Sequence, residues 1–182
     1  MPDATSFTIR PRRTADTEKL GKAHAQIWHE AYEGSLPEEL LLDRGPAIAR
    51  AMNAEMPQGE KTGHFVVENA EGRIVGFGDC GPAQKTSQLA PAEIYNIYLL
   101  QEAQRSGLGR KLLFTLLGFL AREGFKSAAL RIHADQSAAR KFYESCGGIP
   151  AGDRDAMVDG RVFREALYMW KDIQSLLKDS AA

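Results

Sequence analysis

Apolar residues recur along this chain with two periods, and the changes of period divide it into elements. Phe7-Thr8-Ile9-Arg10 alternates as a short strand that Pro11 ends. From about Asp16 the apolar positions Leu20, Ala23, Ile27, Trp28 and Ala31 step by three and four, the spacing of one helix face, and Gly34-Ser35 closes that helix. Ser35-Leu36-Pro37-Glu38 has the form of a capping box opening a short second helix. Beyond Gly45-Pro46, Ile48, Ala51, Met52 and Met56 mark one more helical face before Pro57.

The pattern turns strand-like at His64. Residues 64–68 and 74–78 are runs of β-branched and aromatic residues joined by the turn formers Asn69-Ala70-Glu71-Gly72. Residues 82–91 are a polar loop, and residues 93–99 (Glu-Ile-Tyr-Asn-Ile-Tyr-Leu) are a third strand. Gln104-Arg105-Ser106-Gly107-Leu108-Gly109-Arg110-Lys111 then opens a helix whose core face is Leu112, Leu113, Leu116, Phe119 and Leu120, with Gly124 as its stop. Residues 128–132 form another strand. Asp135 or Ser137 caps a helix running through Phe142 and Tyr143 to Cys146, ended by Gly147-Gly148. Asp159-Gly160 signals a final hairpin between Met157-Val158 and residues 162–170. With neither linker nor internal repeat, residues 1–182 are expected to form one α/β domain.

Composition narrows the class. Hydrophobic residues are 43% and charged residues 26% of the chain, values of an ordinary globular protein rather than a disordered or fibrous one. With 23 basic and 24 acidic residues the net charge is -1, so bulk charge gives no pull toward nucleic acid or an anionic membrane. Any polyanion must be held by a local constellation. No apolar run reaches the roughly 20 residues of a membrane helix, and the first residues lack a secretory pattern, which together point to the cytoplasm. Cys80 and Cys146 are too far apart in sequence for a metal-binding or redox pair. His24 and His29, five apart, fall on different helix faces, so no metal site is expected.

The candidate constellation is the glycine loop. Gln104-x-x-Gly107-x-Gly109 lies between a strand and a helix. Glycine lets the backbone turn and approach a ligand, while the first amides of a helix have no internal partners and carry the positive end of its dipole. Arg105, Arg110 and Lys111 add charge. A dinucleotide fingerprint would need glycine where Leu112 stands, and a P-loop would need Gly-Lys-Ser/Thr, which is absent. The bland alternative is a helix start that merely exposes basic residues.

A second segment goes with the loop. Gln136-Ser137-Ala138-Ala139-Arg140-Lys141-Phe142-Tyr143-Glu144-Ser145-Cys146-Gly147 resembles the Asn-x-x-Ala-x-x-Phe-Tyr-Glu-x-x-Gly segment of the GNAT superfamily of acyl-CoA-dependent N-acetyltransferases, with Gln136 in place of Asn. The loop resembles that family's Gln/Arg-x-x-Gly-x-Gly/Ala hallmark. The resemblance implies a mixed, mostly antiparallel central sheet with helices on both faces. It implies acetyl-CoA as cosubstrate, without a metal, and transfer of acetyl to a primary amine by direct attack in a ternary complex. Gln104, Arg105, Ser106, Gly107, Leu108, Gly109 and Arg110 would grip the pyrophosphate. The backbone of Ile97, Tyr98 and Leu99 would pair with the pantetheine arm, and Gln136 would contact it. Trp28 and Tyr32, as Trp28-x-x-x-Tyr32-x-Gly34, would line the acceptor cleft, with core packing as the alternative for Trp28. The acceptor would be a small-molecule amine or a protein amino group, and a homodimer formed through the sheet edge is compatible with the family.

Aminolysis of a thioester needs a neutral amine and a proton for the departing thiolate. A phenol can supply that proton, and the resemblance gives the role to Tyr143, the alternative being a tyrosine packed beside Phe142. Glu93, at the start of the third strand, is the candidate base, and His133 the second choice. Cys146 has no histidine linked to it by motif and is expected to be a buried small hydrophobe. Two other classes stay open. One is a catalytically silent acyl-CoA-binding sensor or partner protein, and the other is a nucleotide-binding protein using the same loop.

Overall fold

The computed structural model describes residues 6–32, 59–84, 89–158 and 161–180. They contain seven strands and four α-helices. In chain order these are β1 (Thr8–Pro11), α1 (Thr17–Tyr32), β2 (Gly63–Glu68), β3 (Ile74–Pro82), β4 (Ala92–Leu99), α2 (Leu108–Arg122), β5 (Ala128–His133), α3 (Ser137–Ser145), β6 (Ile149–Val158), β7 (Arg161–Trp170) and α4 (Ile173–Asp179). The helices expected after Ser35 and around Met52 lie outside the described residues.

The chain divides into two compact units, one comprising Met1–Asp79 with Ile97–Leu113, the other Cys80–Asn96 with Phe114–Ala182. In the first unit the strand order is β1-β2-β3-β4, with β1 antiparallel to β2 from Thr8↔Glu68 to Pro11↔Phe65. Leu20, Ala23 and Ile27 present the apolar face of α1 to Val66, Ile74 and Phe77. That interlocking follows from the three- and four-residue steps along α1 meeting the two-residue alternation of the strands. The entrance to α1 is pinned by charge. Asp16 accepts two hydrogen bonds from the Arg10 guanidinium at 2.7 and 2.8 Å and one from the Arg13 amide at 2.7 Å, while Arg10 Nε reaches Glu68 at 2.6 Å.

The second unit has the order β3-β4-β5-β7-β6. Its β4 and β5 are parallel, whereas β5 and β7 pair antiparallel from Ala128↔Trp170 to His133↔Glu165. Trp170 is buried, and its indole N–H donates to Cys146 O at 3.0 Å. Gly147, at φ 79, turns the chain out of α3 as expected, and a Cβ on Gly148 would stand 2.8 Å from Tyr143 O. Two features go beyond the sequence expectations. The hairpin is much longer than the Asp159-Gly160 signal showed, because β6 begins at Ile149. Pro150 and Gly152 masked it, and they sit at a bulge between Pro150 and Asp153 where Gly152 has φ 100. The helix α4 was not expected, and Asp172 caps it by accepting from the Ser175 amide at 2.9 Å. Among the described residues no helix is long and apolar enough to cross a membrane.

Two buried titratable groups of the first unit make stability depend on pH in separate windows. His24, stacked on Phe77 with ring centroids 4.0 Å apart, has its pKa pushed down to about 4 by burial. The unfolded chain therefore takes up a proton there before the folded one. Stability is full above the ordinary value near 6.5 and falls as pH drops toward 4, by about 3 kcal/mol in all. Asp16 is held at about 2, chiefly by its hydrogen bonds from Arg10, so its contribution is lost only as pH falls from 3.8 toward 2. Urea midpoints measured from pH 7.5 to 3 should show both declines. A His24→Leu variant should flatten the upper one and leave the lower.

Candidate active site

In the first unit the end of β4 leads straight into the glycine loop. Leu100 N–H donates to Val75 O at 2.9 Å, which fastens the strand end to β3. A 3-10 turn, Gln101–Ala103, follows. Gln104 Nε2 then reaches back to Leu99 O at 3.0 Å, and Ser106 Oγ donates to Ala103 O at 2.8 Å. Both side chains therefore shape the loop from within. Arg105 at φ 57 and Gly107 at φ 82 are left-handed, a conformation that costs a residue with a Cβ roughly 1 kcal/mol or more. Left-handed residues alternating with right-handed ones are the backbone pattern from which anion nests are built. Gly107 O accepts the Lys111 amide at 3.1 Å, so the first turn of α2 follows directly after the bend. Leu108, Gly109 and Arg110 belong to that first turn. Ile97 and Leu99 are half-buried and Tyr98 is exposed. This unit thus contains the residues expected at the pyrophosphate together with Ile97, Tyr98 and Leu99, whereas Gln136, also expected at the pantetheine, belongs to the second unit. The side chains of Trp28 and Tyr32, on the last turns of α1, lie outside the described residues.

The second unit carries the expected acid and base. Here β4 and β5 pair only at Ala92↔Ala128 and Glu93↔Ala129, although both strands continue, so they part after Glu93. Glu93 is 1% exposed. Its Oε2 accepts the Gln84 amide at 3.1 Å and its Oε1 lies 3.3 Å from Arg131 Nε. It is an interior carboxylate with both oxygens engaged, not a solvated strand end.

Tyr143, on α3, is 7% exposed, in an aromatic cluster with Phe142, Tyr168 and Trp170 at centroid distances of 5.0, 6.1 and 6.2 Å. Beside it, Tyr168 donates its hydroxyl to Glu144 at 2.8 Å, and burial, with that bond, raises the Tyr168 pKa. Gln136 is the N-cap of α3, but its side chain makes no capping bond. His133 is exposed and lines a cleft of about 490 Å³ with Asp135, Arg140, Asp153 and Arg164. Cys146 is buried, as expected. Among the described residues no three His, Cys, Asp or Glu side chains converge in a metal-holding group.

One pair escaped the sequence analysis. His64 on β2 and Asp79 on β3 meet through Nδ1 and Oδ1 at 2.5 Å inside the first unit. Fifteen residues separate them in the chain, and no helical or motif spacing links them. Only the alternation of two strands, with the register between them, could have revealed it.

With that geometry in place, the comparisons with known proteins fall into line. The acetyltransferase (GNAT) family model matches residues 23–148. YuaI of Bacillus subtilis, named an uncharacterized N-acetyltransferase, is 26% identical over 169 residues, 93% of this chain and 95% of that protein. The PaiA N-acetyltransferase of Thermoplasma acidophilum, solved in complex with coenzyme A, superposes with a TM-score of 0.61 at 19% identity, covering 92% of this chain and 99% of that one. The ribosomal-protein-S18-alanine N-acetyltransferase of Escherichia coli gives 0.64 at 22% identity, covering 90% and 92%. At such identities the two solved structures bear on the fold alone. The family match, which spans most of the chain, decides the matter: this protein belongs to the acetyltransferase (GNAT) family and is an acyltransferase.

Proposed function

We propose that this chain transfers acetyl from acetyl-CoA to a primary amine by direct attack within a ternary complex. The observation that carries the proposal is the bend at Arg105 and Gly107, two left-handed residues at the mouth of α2, one of them not glycine. A side-chain-bearing residue held at φ 57 is a cost that a mere connection has no need to bear. A diphosphate gives it a reason, because the amides of the bend, the dipole of α2 and the Arg105 and Arg110 side chains all supply positive potential to one anion. Gln104 and Ser106 hold that bend rather than reach outward. The backbone of Ile97, Tyr98 and Leu99 would take the amide groups of the pantetheine arm, and a backbone N–H near Leu99 would steady the oxyanion that forms at the thioester carbon.

Tyr143 is our choice for the acid that returns a proton to the leaving thiolate. For Glu93 the pairing with Arg131 and the Gln84 amide favours a fixed charge that braces β4 over a carboxylate that cycles its proton. The acceptor is an amine of a small molecule or of a protein. One of the solved proteins of like fold named above is called after a protein substrate, the alanine of ribosomal protein S18.

Turnover, cofactor binding and thermal stability test the proposal. Tyr143→Phe should lower kcat for thiol release by about 10²-fold or more while acetyl-CoA still binds in calorimetry. Equal turnover by the variant would remove Tyr143 from the chemistry. A wild type that binds acetyl-CoA but releases no thiol with any amine would instead mark a silent acyl-CoA-binding protein. A thermal shift with ATP and none with CoA would point to a nucleotide site. Gln136→Asn, which places a good capping residue before α3, should stabilise the fold by about 1 kcal/mol. For a chain of this size that is a rise of roughly 2–4 °C in Tm, with no loss of acetyl-CoA affinity.

A further inference from the structure

Of the interior carboxylates, Asp79 is the one whose partner has something left over. The Asp79 side chain is 5% exposed and that of His64 14%. A carboxylate oxygen can only accept, so His64 must carry its Nδ1 proton toward Asp79, and this leaves Nε2 as the ring's other functional atom. Nε2 is buried and has no hydrogen-bond partner among the described residues. Buried ring nitrogens are normally paired, so an unpaired one asks for a donor that arrives with a ligand.

The surroundings say what kind of donor. His24, from α1, faces Asp79 and is neutral at physiological pH, because burial holds its pKa near 4. Arg12, half-buried just after β1, donates its backbone N–H to His64 O at 2.9 Å, and its side-chain charge is felt at His24. The carboxylate of Asp79 is thus the charge nearest to the His64 ring, and a negative interior charge beside a nitrogen lone pair suits a cationic N–H donor. Phe77 lies two residues before Asp79 on the same face of β3, and its ring touches both His24 and Tyr98, at centroid distances of 4.0 and 5.4 Å. The pair therefore shares its unit and its sheet face with Tyr98, one of the three residues assigned above to the pantetheine arm.

We propose that His64 is the general base of acetyl transfer, that its Nε2 removes a proton from the ammonium form of the acceptor, and that Asp79 is the residue that positions it. The proposal rests on the acetyltransferase reading above. The step balances as follows. His64 Nε2 takes one proton from the ammonium. The freed nitrogen lone pair forms the C–N bond at the thioester carbonyl carbon, and the C–S bond breaks with its electron pair going to sulfur. The thiolate takes a proton from the acid of the reaction, and a second proton leaves nitrogen to restore that acid. His64 then returns its own proton to solvent. The sum is one ammonium and one acyl thioester converted to an amide, a thiol and a proton.

The experiment compares two acceptors on wild type, His64→Gln, Asp79→Asn and Glu93→Gln. One acceptor is a primary alkylamine, an ammonium ion at neutral pH. The other is methoxyamine, which is already neutral there and needs no base. His64→Gln should lower kcat/KM for the alkylamine by about 10²-fold or more and for methoxyamine by less than about threefold, with acetyl-CoA binding unchanged. Asp79→Asn should lower kcat with the same preference and leave the KM for acetyl-CoA alone. If His64→Gln keeps alkylamine turnover, or loses both acceptors equally while still binding acetyl-CoA, the base is not His64. If Glu93→Gln shows the selective loss instead, the base is Glu93. Should His64→Gln fail to fold, His64→Asn and Asp79→Asn are judged by the same acceptor preference. A wild type without turnover on either amine, yet binding acetyl-CoA, refutes the acetyltransferase reading itself and the base along with it.

Discussion

A side chain at position 76 has nowhere to go. A Cβ there would stand 2.3 Å from Leu99 Cδ2 and 2.7 Å from Tyr98 O, so β3 and the end of β4 lie backbone against backbone. That close approach fixes Leu100, whose amide closes on Val75 O, and Leu100 in turn accepts the Ala103 amide of the 3-10 turn. The turn delivers Gln104 to a point from which its side chain can return to Leu99 O. Only then does the chain bend through Arg105 and Gly107 into α2. The bend is thus the last link of a series of short-range contacts that begins with the absence of one methyl group. Strain at Arg105 persists because both ends of the bend are tied, the first to β4 and the second to a helix.

Three buried carboxylates show how differently one fold can treat the same group. Asp16 receives two arginine hydrogen bonds and a backbone amide, and its pKa falls accordingly. Glu93 has one guanidinium and one amide. Each arrangement satisfies its carboxylate with groups that hold their protons at any ordinary pH, which suits a brace. Asp79 is paired with an imidazole, the side chain whose protonation changes most readily near neutrality. A buried charge joined to a group that can exchange protons is poorly designed as a strut and well designed as a relay.

The elements that were legible in the sequence are those governed by local physics. The α1 stripe, the Asn69–Gly72 turn, the Gly124 and Gly147 stops and the entry to α2 each depend on residues within a turn or two of one another. There, Gly72, Gly124 and Gly147 adopt the positive φ that their positions suggested. The first eight residues of β6 were lost because Pro150 and Gly152 break the alternation, and the bulge that excuses them exists only by pairing with β7. Helix α4 was missed because a seven-residue helix has too few apolar positions to display a period. The loop's letters were visible, but their division of labour was not. Gln104 and Ser106 bond to the chain behind them, which no motif states.

The same distinction explains why the sequence drew attention to Glu93 and not to His64. Motifs run along the chain, and a strand-end glutamate beside a recognisable segment attracts attention because its neighbours in sequence are recognisable. Proton transfer, however, depends on neighbours in space, and in a sheet these are fixed by register. His64 and Asp79 belong to two strands joined by a tight turn, so a shift of either by one residue would send one side chain to the opposite face and abolish the pair. The turn at Asn69–Gly72, where Asn69 Oδ1 accepts the Arg73 amide at 2.8 Å and Gly72 takes φ 74, joins those two strands. A turn legible in the sequence thus connects the two strands, while the meeting of His64 and Asp79 depends on a pairing that the sequence does not spell out.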